Sequence, residues 1–144
     1  MKLIPVVEFA PTLFQIGEYD IPDGEAEEWD LWWRNSLADS NIIGLDPYLI
    51  GSWLVEVNKL TPLIVEILLS KQYDSSVKSV EFSAFEGGYI LEDGARLLVL
   101  PHCCGSLQDT RDWEDASDWM GTDETPLWIG HPGFMVSSKD SLYL

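Results

Sequence analysis

The residues best equipped for chemistry are His102, Cys103 and Cys104, with His131 one helix and a loop further along. Two imidazoles and two thiols are the ligand types of tetrahedral zinc. The spacing argues against a zinc site. Structural sites usually part their paired thiols by about two to four residues, and adjacent side chains on a strand point to opposite faces. A Cys–His nucleophilic pair drawn from the same residues needs a stabilised thiolate and an oxyanion hole. Strongly negative surroundings disfavour a thiolate. The remaining reading makes one Cys a small buried apolar residue. Carboxylates are so abundant that a glycosidase-like couple such as Glu86 and Glu92 does not stand out. Calcium wants an Asp-rich loop of regular spacing, whereas residues 109–124 have a helical pattern. Gly87-Gly88 is too short for a phosphate cradle, and no Lys-Ser/Thr follows it. The expectation is therefore no catalytic residue, no metal and no cofactor. A metal-binding domain or enzyme built on His102, Cys103, Cys104 and His131 is the alternative, and a structural subunit is a second.

Charge is the strongest signal. The 144-residue chain carries 25 acids against 8 bases, a net charge of −17. Such a field repels bare nucleic acid, whose binding depends on cationic side chains displacing counterions. It also repels anionic lipid, and it attracts basic proteins or cations. Between Lys2 and Arg34 there is no base, while Glu8, Glu18, Asp20, Asp23, Glu25, Glu27, Glu28 and Asp30 fill the gap. A second cluster holds Asp109, Asp112, Glu114, Asp115, Asp118, Asp123 and Glu124, relieved only by Arg111. Seven Trp residues set the chain apart from disordered acidic sequences, which are poor in aromatics. Trp29, Trp32, Trp33, Trp119 and Trp128 are each candidates for a core or for an aromatic anchor ringed by acids. Trp29, Trp32 and Trp33 are not expected all to face inward, because Trp32 and Trp33 are adjacent.

Two Cys residues give no disulfide scaffold. The opening Met-Lys-Leu-Ile-Pro lacks a secretory pattern. The apolar stretch near residues 60–69, broken by Thr61, Pro62 and Glu66, is too short for a bilayer. These features predict a soluble cytoplasmic protein with one domain over residues 1–144.

The elements that must position these residues are legible from pattern. Residues 3–9 predict a strand, with Pro5 at an edge or strand end, and residues 10–23 a loop. Trp29, Trp32, Trp33 and Leu37 form the stripe of a helix from Gly24 to about Ala38, capped by Asp23. Residues 52–57 predict a strand. Thr61-Pro62 opens a helix to about Gln72, with Leu63, Ile64, Ile67 and Leu68 inward. Residues 77–85 predict another strand. Asp93-Gly94 between two apolar runs predicts a hairpin. Ser106 starts a helix whose inner stripe is Trp113, Ala116 and Met120. Leu127–Gly130 and Phe134–Val136 are short strands about a glycine turn, and Ser141–Leu144 is a last strand or a tail. The class is α+β: a mostly antiparallel sheet with about three helices packed on it.

Three segments between Leu97 and Gly133 carry a resemblance. They are Cys103-Cys104-Gly105-Ser106-Leu107-Gln108-Asp109, Trp113-Glu114-Asp115-Ala116, and Leu127-Trp128-Ile129-Gly130-His131-Pro132. Together they resemble small acidic bacterial immunity proteins that accompany polymorphic or contact-dependent toxins. The last is similar to the closing segment of the SMI1/KNR4-like immunity superfamily. The resemblance implies a non-enzymatic cytosolic protein that binds and blocks a cognate toxin domain, often a basic nuclease. In that setting acids on the rim steer association. The candidate partner-binding residues are Glu25, Glu28 and Asp30 on one helix, and Asp112, Asp115, Asp118 and Trp119 on the other.

Overall fold

A computed structural model describes residues 1–14, 22–72, 85–101, 105–108, 110–119, 125–127 and 134–136. The expected 77–84 part of a strand, Met120, the turn at 130–133 and the last four residues lie outside them. The chain forms two compact units, one of Met1–Val7 with Glu81–Leu144 and one of Glu8–Val80. Its class is α+β with an antiparallel sheet, as the order of patterns predicts.

In the first unit, β1 (Lys2–Glu8), β3 (Gly87–Asp93) and β4 (Arg96–Val99) lie in the order β1-β3-β4, all antiparallel. Pro5 lies mid-strand opposite Tyr89 instead of at a strand end. Ile4, Val6, Ile90 and Val99 are buried. The hairpin forms, but Asp93 pairs with Arg96, so the two turn residues are Gly94 and Ala95. Gly94 takes φ +61° at the first turn position, as a type II′ turn requires. Gly87 and Gly88 also have positive φ, +147° and +136°. A Cβ on Gly87 would run into the Val6 carbonyl and sit 2.9 Å from Val7 Cα. Gly87 thus lets β1 approach β3 closely, while a Cβ on Gly88 would lie 3.2 Å from that of Pro101. The Gly87 N–H donates to the Gly105 carbonyl at 3.1 Å, and Glu86 bridges Ser106. Ser106 is therefore committed to an extended pairing, and the helix α4 begins later, at Thr110–Asp118. Trp113 and Ala116 of α4 pack on Val99, Leu91 and Leu98. Further along, β5 (Thr125–Leu127) and β6 (Phe134–Val136) pair antiparallel.

The second unit is built around α2 (Ala26–Ala38). The predicted loop after β1 instead holds α1 (Pro11–Phe14), opened by Pro11, whose fixed φ suits a first helical position. Phe9 and Phe14 stack at 5.6 Å, and the buried Trp33 indole donates to the Phe9 carbonyl at 2.7 Å. Trp32 and Trp33 are both buried despite being adjacent, while Trp29 is half-buried, so the three do not all face inward. Phe9 takes the Trp33 side, while Trp53 and Trp29 cover Trp32. At its C-terminal end α2 closes in a Schellman motif. Asn41 sits at φ +61°, Ile42 N–H reaches the Leu37 carbonyl, and Ile42 and Leu37 are both buried.

The strand β2 (Leu54–Glu56) is followed by a 3-10 turn at Val57–Lys59 and by α3 (Pro62–Gln72). The Thr61 hydroxyl caps α3 by accepting the Ile64 N–H at 3.3 Å. Its buried side centres on Leu68, whereas Leu63 is 63% exposed. Apolar residues occupy nearly every face of α3, so periodicity alone does not fix which one turns inward.

Candidate functional site

The two acidic groups fall in different units. On α4, Trp113 and Ala116 face the sheet three residues apart, which turns Glu114, Asp115 and Asp118 outward and leaves Asp112 half-buried. Asp112 lies in the first turn, where the helix dipole favours an acid. Asp118 lies in the last turn, which holds no base, so it faces the dipole's negative end uncompensated. The Ser117 hydroxyl donates to the Glu114 carbonyl at 2.8 Å and meets Asp118 Oδ1 at 3.4 Å. Trp119, half-buried, follows directly. Asp112, Asp115 and Asp118 make no ion pair with any described residue, and they repeat at a spacing of three, so they repel along one side of the helix.

On α2 the cap residue is Glu25, not Asp23. Its backbone is extended and its carbonyl accepts the N–H groups of Glu28 and Trp29, while its side chain makes no cap bond. The Glu28 carboxylate folds back over Gly24, with Oε1 2.9 Å from where a Cβ would stand. Glu25 and Glu28 are exposed and ion-pair with no described residue. Asp30 differs. Its side chain is only 15% exposed and accepts from Arg34 Nε at 2.7 Å. Arg34 Nη1 also donates to Asp46 Oδ1 at 2.9 Å and reaches the Leu45 carbonyl at 3.4 Å. Arg34 therefore fastens the loop at Leu45-Asp46 to α2, and Asp30 is occupied by it. These bonds raise the Arg34 pKa above its ordinary value, Asp30 contributing more than Asp46.

Sequence reasoning passed over one cluster. Trp29, Trp32 and Trp53 pack edge-to-face and tilted against one another, with ring centroids 5.6 Å apart for Trp29–Trp32, 5.8 Å for Trp29–Trp53 and 6.5 Å for Trp32–Trp53. Trp53 takes φ +56°, which is rare for a bulky residue. Its carbonyl accepts the Phe9 N–H at 2.9 Å, and the Ser52 hydroxyl ties the loop through Leu49 and Leu54. Trp53 was expected inside a strand, and a positive φ leaves no mark in local sequence. The indole N–H groups of Trp32 and Trp53 are buried with no partner among the described residues.

His102, Cys103, Cys104 and His131 lie outside the described residues, and so do Asp109, Asp123 and Glu124. Among the described residues no three His, Cys, Asp or Glu side chains gather to hold a metal. No described helix is long and apolar enough to cross a membrane. Comparison of the chain with protein-family models, with curated proteins and with solved structures returns no match.

Proposed function

We propose that this chain is a non-enzymatic, cytoplasmic binding protein of the immunity type, which neutralises a cognate basic toxin domain. The observation that supports it is the set of acids kept outward and unpaired. Glu25, Glu28, Asp115 and Asp118 are exposed, and no described residue ion-pairs with them. Two of them sit on α4, whose last turn has no compensating base. Like charges held together cost stability in the free chain. A basic partner removes that cost on docking and is drawn in by the long-range field. The partial likeness of residues 97–133 to immunity proteins points the same way.

The test pairs the chain with the protein domains encoded by the reading frames that flank its gene, of which one is expected to be a basic toxin domain. Co-expression should restore growth to cells making that domain. The purified pair should associate at least roughly tenfold more slowly in high salt than in low salt, because screening removes steering. Failure to rescue growth, or an association rate indifferent to salt, refutes the proposal.

A further inference from the structure

We infer that the Trp29–Trp32–Trp53 cluster, with Glu25 and Glu28 at its edge, is the surface that anchors the basic partner, through an Arg side chain laid on the indoles. The inference rests on the binding-protein reading and selects the face that does the binding. Several features of the cluster converge. Trp29 and Trp53 are half-buried, so each keeps part of its ring at the surface. Ile50, 59% exposed, precedes Gly51, where an added Cβ would lie 3.3 Å from that of Ala26. The loop therefore meets the first residue of α2, directly after Glu25. Aromatic rings, an aliphatic side chain and two unpaired carboxylates thus share one end of the second unit.

That composition matches a guanidinium. Its plane stacks on an indole face, within about 6 Å of the ring centroid, while its N–H groups bond carboxylate oxygens in pairs. Trp, Tyr and Arg dominate interface hot spots. The cluster is also poorly satisfied in the free chain. Trp32 is 7% exposed and its N–H has no partner among the described residues, as is the case for Trp53, whose backbone is held in the left-handed region. Buried indole donors ordinarily find acceptors.

The experiment titrates the whole isotope-labelled chain with a short peptide of alternating Arg and Gly, and with the same peptide carrying Glu for Arg. The indole N–H signals are assigned by Trp→Phe substitution. The Arg peptide should move the Trp29 and Trp53 signals along a saturating curve, and the Glu peptide should not. The double variant E25Q/E28Q should weaken binding roughly tenfold, while E66Q/E86Q, which removes the same charge from positions outside the proposed surfaces, should change it less than about twofold. All four side chains are exposed, so neither variant threatens folding. Equal weakening by the two variants, or movement of Trp119 with Trp29 and Trp53 still, overturns the choice of surface and leaves the binding-protein reading standing. No saturable binding of the Arg peptide overturns this inference and leaves the binding-protein reading to the growth-rescue test.

Discussion

Removing the Arg34 side chain tests whether Asp30 is a structural residue or part of an interface. Arg34→Met keeps most of the aliphatic stem and deletes three donors' worth of contacts, to Asp30, Asp46 and the Leu45 carbonyl. A hydrogen bond to a charged group is worth about 1.5–3 kcal/mol. Asp30 lies mostly out of water, so its carboxylate would be left buried and uncompensated, which adds to the loss. Arg34 itself is 39% exposed, and solvent screening trims the total. Together these give about 2 kcal/mol. Asp46 is 68% exposed, so Asp46→Asn should cost less than about 0.5 kcal/mol. Urea unfolding of the four members of the Arg34→Met and Asp30→Asn cycle provides the assay. The double variant should be more stable than the two single losses added together, with a coupling of about 1 kcal/mol. The raised Arg34 pKa means the folded chain holds that proton more tightly than the unfolded one. From neutral pH up to the ordinary arginine range the contribution of Arg34 is therefore constant, and it is lost only as strong alkali deprotonates the guanidinium. An Arg34→Met variant within about 0.5 kcal/mol of the parent, or an Asp46→Asn variant as costly as Asp30→Asn, refutes the reasoning.

Two further outcomes follow from the packing. Gly87→Ala forces a Cβ into the β1 backbone and a residue into φ +147°, so the unfolding midpoint in urea should fall by the equivalent of about 3 kcal/mol. Leu68→Ala should cost about 2–5 kcal/mol by cavity formation, while Leu63→Ala on the same helix should stay within about 0.5 kcal/mol; thermal melts of both variants check the contrast.

Much of this protein is determined within short stretches of its sequence. The Thr61-Pro62 start of α3, the strand from Leu3, the hairpin near Gly94 and the inward stripe of Trp113 and Ala116 all express local preferences. Each depends on residues a few positions apart, so no tertiary knowledge is needed to read them. The net charge is likewise a property of composition. What the tertiary structure decided is which of these groups are free. Asp30 and Glu28 are two residues apart and chemically alike, yet one is held by Arg34, which also reaches a distant loop, while the other faces solvent. Leu63 and Leu68 share a helix whose faces are all apolar, and only the neighbours settle which is inside. Trp53 reaches the indoles of Trp29 and Trp32 from more than twenty residues away, in a backbone conformation fixed by its bond to Phe9. Long-range pairing depends on where the chain returns, and spacing along one segment does not carry that information.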